Sequence, residues 1–167
     1  MLEHLLEALQ GLPKELIAFL VSMLPIAELR GGLPVAVLQL DLPVWRAYWI
    51  CVAGNFLPMI PLVLLLDPVA RYLRRWKAFD RFFEWLFART RRRGKVVERY
   101  EALGLILFVA IPLPVTGGWT GAAAAYVFGV RPRLAIPAIL AGILIAGLVV
   151  LGALQGALHI PGLFASM

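Results

Sequence analysis

Charge is almost absent from this 167-residue chain outside one stretch. Residues 67–101 hold eleven Arg and Lys against five Asp and Glu, which is the whole formal charge of +6. Elsewhere five basic residues stand against five acidic ones. Cysteine is limited to Cys51 and asparagine to Asn55. A lone cysteine inside an apolar run excludes an internal disulfide and is silent on redox compartment. The two histidines, His4 and His159, lie at the ends without metal-ligand spacing, so no metal is expected. No Ser-His-Asp set is evident, Asp41, Asp67 and Asp80 do not sit as an intramembrane dyad, and an enzyme is not expected. No G-x-x-x-x-G-K-[ST] loop occurs, so there is no nucleotide site of that kind, and no cofactor is implied. The start, MLEHLLEALQ, lacks the basic n-region and small-residue cleavage site of a signal peptide.

What is abundant is apolar. Hydrophobic residues make up 62% of the chain, against about 45–50% for a soluble domain. The mean hydropathy is +0.87. This is the composition of an integral membrane protein. The high pI of about 10.1 points to lipid rather than nucleic acid, because the basic residues adjoin apolar spans. Lys/Arg-rich loops stay cytoplasmic, so segment 67–101 orients the rest.

Residues 1–12 read as an amphipathic interfacial helix, with Leu2, Leu5, Leu6 and Leu9 on one face. Leu16 to Leu29 is apolar but too short: as a helix it reaches roughly 21 Å of a hydrocarbon core roughly 30 Å thick. Pro25, Glu28, Arg30, Gly31, Gly32 and Pro34 break it, and Val35 to Leu42 is a second short run. Together, residues 16–42 read as a re-entrant hairpin. Residues 45–66 are long enough to cross, with Trp45, Tyr48 and Trp49 as interfacial aromatics. Residues 67–101 then leave the membrane as a basic amphipathic helix on the anionic leaflet. Residues 102–130 repeat the hairpin plan, broken by Pro112, Pro114, Thr116, Gly117, Gly118 and Gly121. Residues 134–158 form a second full span.

The halves, 1–66 and 102–167, therefore share one plan. At an offset of 87, Pro25 falls on Pro112 and Gly31 on Gly118; at 88, Glu28 falls on Thr116 and Gly54 on Gly142. One crossing per half, with the basic loop between, places the halves in opposite orientations. The fold class expected is all-α and integral to the membrane: an inverted repeat, each half a re-entrant hairpin plus one transmembrane helix. Discontinuous helices meeting near the midplane are a transporter architecture. Four plain crossings, with 16–40 and 102–128 as full spans, is the rival. It puts Arg131 and Arg133 outside and the acidic N-terminus inside. The hairpin reading reverses both and fits the positive-inside rule better, with Arg46 discordant.

Glu28 and Arg30 lead the candidate site residues, since ionisable groups at membrane depth are costly and usually functional. One reading is a proton- or substrate-binding carboxylate beside an anion-binding guanidinium. The other is a structural pair that closes the hairpin. In the second hairpin, Thr116, Trp119 and Thr120 stand among glycines whose N–H groups suit an anionic group, though GGWTG also permits close packing. Asn55 can hydrogen-bond the hairpin or serve as a packing contact. Asp41 either pairs with Arg46 to gate the outer surface or is a solvated loop acid. Arg131 and Arg133 are a basic stop that orients the second span.

PIAELRGGLP and IPLPVTGGWTGAAAAYVFG resemble the small multi-drug export protein family, itself distantly similar to the DedA and SNARE-associated (VTT-domain) membrane proteins. The resemblance covers nearly the whole chain. It implies paired re-entrant hairpins and transport across a bacterial or archaeal inner membrane. It maps an acidic-basic tip onto Glu28 and Arg30 and a second tip onto Pro112, Pro114, Thr116, Gly117, Gly118 and Trp119. DedA-type proteins use acids in their second half and are implicated with polyprenyl-phosphate carriers; this second hairpin has no acid.

The expected function is a small secondary transporter, proton-coupled or passive, with a midplane site between the hairpins for an amphipathic molecule or an anionic lipid carrier. The alternative is a non-transporting assembly or lipid-organising factor that works through its basic segment. Expected partners are membrane lipids, a small-molecule or lipid substrate and a second copy of the chain as a homodimer, with no nucleic acid. The chain is expected to be multi-pass, with 67–101 cytoplasmic and both termini outside.

Overall fold

The computed structural model describes residues 11–73, 101–111 and 117–159. These are helices joined by short turns, without a strand among them. In chain order they form α1 (Lys14–Met23), α2 (Glu28–Pro34), a π-helical turn (Val35–Gln39), α3 (Val44–Phe56), α4 (Met59–Leu73), α5 (Glu101–Ala110), α6 (Gly118–Phe128) and α7 (Pro132–His159). The expected interfacial helix up to residue 10, the basic segment 74–100 and the tip residues Pro112, Pro114 and Thr116 lie outside the described residues.

Two stretches are long and apolar enough to cross a membrane: Val44–Leu66 and Pro132–Gly156. They coincide with the expected spans to within two residues at each end. The first is two helices, α3 and α4, parted at Leu57 and Pro58, where the proline ring removes an N–H from the helical ladder. The helix then continues through Leu73, past the expected end at Leu66. The second span opens with Pro132 at its first position, where proline's missing N–H has no helical partner to lose.

Of the residues read as breaking the first hairpin, Pro25 stands at the observed turn and the others do not. Glu28–Pro34 is helical, and the chain turns instead at residues 24–27. The residue before a proline is driven out of the helical region, and Leu24 before Pro25 has ψ 138°. Gly31 and Gly32 are accommodated inside α2. Pro34 is accommodated too, and the wider π turn follows it directly. That turn closes through the Leu40 N–H to Val35 carbonyl bond (3.0 Å). Asp41, in the left-handed region at φ 53°, then ends the helix. Short polar residues tolerate that conformation, and Leu42 N–H reaches back to the Ala36 carbonyl (3.0 Å).

The chain divides into two compact units, one of residues up to Asn55 together with Leu144 onward, the other Phe56–Ile143. In the first, α1 and α2 pack side by side. A Cβ on Gly32 would collide with the Ser22 side chain, and one on Gly54 would collide with the Phe19 carbonyl oxygen. Glycine is what lets α2 and α3 close on α1. Tyr48 on α3 donates its hydroxyl to the Leu144 carbonyl on α7 (3.0 Å), and its ring lies where a Cβ on Gly147 would have to go. Trp45, Tyr48 and Trp49 form an edge-on aromatic group with centroids 5.9 and 5.1 Å apart.

The second unit uses the same device. A Cβ on Gly121 of α6 would collide with Val109 of α5, and one on Gly142 of α7 would sit 2.6 Å from Val109 Cβ and 3.0 Å from the Ile106 carbonyl oxygen. α6 ends at Gly129, whose φ of 70° is the left-handed cap conformation. Val130 N–H bonds the Ala125 carbonyl (2.8 Å) and Gly129 N–H the Tyr126 carbonyl (3.1 Å), the paired bonds of a Schellman ending.

Candidate functional site around Glu28

Glu28 is the first residue of α2 and only 9% exposed. It adopts φ 48°, a conformation that glycine takes freely and longer side chains seldom do. Its N–H donates to the Leu24 carbonyl (2.8 Å), which closes the turn that Pro25 forces. The Arg30 guanidinium, two residues on and half-buried, feels the Glu28 carboxylate electrostatically. Strained backbone of this kind persists only where its surroundings impose it, and it clusters at binding and catalytic sites. The turn's outer surface is apolar: Ile26 is 79% exposed. An acid thus sits buried behind an apolar tip, with a cation beside it.

A polar seam runs along the buried face of α3, at Tyr48, Cys51 and Asn55. Cys51 lies within hydrogen-bonding reach of Ser22 on α1, and the Ser22 hydroxyl donates to the Ala18 carbonyl (2.8 Å). Asn55 is 3% exposed, and its side-chain oxygen has no hydrogen-bond partner. Sequence reasoning passed over Ser22 and read Tyr48 only as an interfacial aromatic.

The second hairpin's residues fall in the second unit. Gly117, Gly118 and Gly121 are buried, and Trp119 and Thr120 are half-buried, in and before the first turn of α6. The Thr120 hydroxyl is engaged by its own helix start: it accepts from the Gly117 N–H (2.9 Å) and donates to the Gly117 carbonyl (3.3 Å). This is helix capping.

The four gating and orientation residues are all exposed. Arg46 bridges Glu15 on α1 (3.2 Å) rather than Asp41. Asp41 instead fills the left-handed position that ends the π turn. Arg131 and Arg133 flank the start of α7, where a helix dipole disfavours cations. Helix stability therefore does not account for them. Among the described residues no group of three or more His, Cys, Asp or Glu could hold a metal.

No curated protein and no solved structure matches the chain. The family model for the small multi-drug export protein matches residues 28–149, from Glu28 through most of α7. The chain belongs to that family, whose name suggests an export protein of the membrane.

Proposed function

We propose that the chain is a small secondary transporter in which the Glu28 carboxylate binds a proton or a cationic group. The observation that carries this reading is Glu28 itself, a buried acid held at a strained backbone position. In lipid a charge so placed is expensive, and its retention argues for a task. Arg30 keeps the neighbourhood near neutral and offers a contact for an anionic group.

The inverted-repeat plan is part of the proposal. Its support is that each unit takes one hairpin and a portion of each long apolar stretch. Gly54 and Gly142, 88 residues apart, meet the first arm of their own hairpins in the same way. In this plan both hairpins are re-entrant, the N–H groups of residues 117 and 118 help hold an anionic head group, and rocking of one repeat against the other alternates access. The basic segment is cytoplasmic, in a bacterial or archaeal inner membrane, and the chain works as a homodimer without ATP.

The test is efflux of a fluorescent organic cation from vesicles carrying the purified protein. Glu28→Gln should insert and fold as the wild type does and lose transport. Full transport in that variant removes the carboxylate from the mechanism.

The concentration of the whole net charge in 67–101 favours a second reading, a non-transporting factor that organises anionic lipid. Charge reversal of Arg91, Arg92 and Arg93 separates the two: lost activity with normal topology supports it, and inverted topology makes the run an orientation signal.

A further inference from the structure

Arg133 stands 87 residues on from Arg46, at the offset that brings Pro25 onto Pro112. The two arginines occupy like places, each in the first turn of a helix that begins a long apolar stretch. Their charges are met differently. Glu15 on α1 lies 3.2 Å from the Arg46 guanidinium. Arg133 and its neighbour Arg131 have no ion-pair partner among the described residues, and the first turn of α7 contains no acid. The positive end of the helix dipole adds to the imbalance. Two positive charges thus stand in one turn with nothing in the described chain to offset them.

Their depth follows from the helix they begin. The Leu134 and Ala135 N–H groups both donate to the Arg131 carbonyl (2.8 and 2.9 Å), which ties the backbone of the two arginines to the first turn of the span. Pro132–Gly156 is long and apolar enough to cross a bilayer, and the first turn of a crossing helix lies at the headgroups. Arg131 and Arg133 are exposed there, and so are Phe128 and Leu134 on either side of them in the chain. Apolar side chains next to guanidiniums fit a lipid, with acyl chains below its phosphate, better than a soluble anion.

We propose that the turn between α6 and α7 is a docking surface for anionic phospholipid, in which Arg131 and Arg133 bind the headgroup phosphate and Leu134 meets the acyl chain. The inference goes beyond the transporter reading and needs neither that reading nor a particular orientation of the chain. It also lies outside segment 67–101. A guanidinium pairs with phosphate through two parallel N–H bonds. Unneutralised positive charge at the membrane surface favours a headgroup of net negative charge over a zwitterionic one.

The test reads local lipid composition beside the turn. In a Cys51→Ala background, Phe128→Cys carries a bimane fluorophore. The full chain is reconstituted into vesicles of equal phosphatidylglycerol and phosphatidylcholine, the same in both leaflets. Bromine on the acyl chains of one lipid or the other quenches the label according to which lipid lies next to it. With both arginines present, phosphatidylglycerol should be enriched there about fivefold or more, the scale of one Arg beside an anionic surface. Arg131→Gln with Arg133→Gln should abolish the enrichment, and each single change should lower it partway. Arg46→Gln removes the same charge from α3 and should leave it unchanged.

Equal quenching by the two lipids with both arginines present overturns the proposal and means that their charges are neutralised within the protein. Enrichment that survives the double change also overturns it and assigns the lipid to segment 67–101. So does a fall in Arg46→Gln as large as in the double variant, which would reflect net charge alone. Because both leaflets share one composition, inverted insertion does not alter the reading, and the transport outcome for Glu28→Gln is independent of it.

Discussion

On α3, Gly54 lies so close to the Phe19 carbonyl of α1 that no side chain fits between them. Gly142 on α7 meets the Ile106 carbonyl and Val109 of α5 in the same manner. Each long apolar stretch is thus seated on the first arm of the hairpin before it by a glycine. Without a hydrophobic drive between helices in lipid, such close backbone approach is what holds them together.

Replacement of either glycine by alanine should therefore destabilise the protein. Forcing an extra carbon into a filled contact costs about 1–3 kcal/mol, and Gly54→Ala and Gly142→Ala should both lower the melting temperature in detergent. Gly152, with nothing within 4 Å of a built Cβ, is the control. Gly152→Ala should stay within about 0.5 kcal/mol of the wild type. Equal tolerance at all three positions would contradict the packing argument.

Backbone strain at Glu28 makes a second prediction that is independent of transport. A side chain in the left-handed region costs about 1–2 kcal/mol relative to glycine. Glu28→Gly should accordingly be more stable than Glu28→Ala by about 1 kcal/mol, reversing the order expected inside an ordinary helix. Chemical denaturation of the two variants measures it. Alanine proving the more stable would mean that the turn is not strained.

Much of this was legible in the sequence, and the reasons differ by element. The two spans could be read because length and hydropathy alone define them, although the second begins at Pro132, two residues before the expected Leu134. The site of the first turn could be read only in part, from Pro25. Gly31, Gly32 and Pro34 look like helix breakers, but in this chain the glycines serve packing and a π turn follows the proline. The signal that mattered was the constraint of Pro25 on Leu24. The left-handed Glu28 and the partner of Arg46 are outcomes of three-dimensional closure, which no local pattern carries. Thr120 was singled out for its hydroxyl, which its own helix start engages.

The Glu15–Arg46 pair is a third point of test. Its side chains are 38% and 63% exposed, and exposed pairs are worth about 0–1 kcal/mol. A double-mutant cycle with Glu15→Gln and Arg46→Gln should give a coupling below about 1 kcal/mol that shrinks further in high salt. A larger, salt-insensitive coupling would make the pair a structural clamp on α1.

The central claim, that each hairpin enters and leaves the membrane on one side, is tested most directly by sided cysteine labelling. In a Cys51→Ala background, single cysteines replace the exposed residues Gly11 and Gln39 around the first hairpin and Leu103 and Phe128 around the second. Each is probed with a membrane-impermeant thiol reagent. The account predicts that Gly11→Cys and Gln39→Cys react from the outside alone, and that Leu103→Cys and Phe128→Cys react from the cytoplasmic side alone. Reaction of Gly11→Cys and Gln39→Cys from opposite sides would mean that the chain crosses there, and the inverted-repeat transporter would be contradicted.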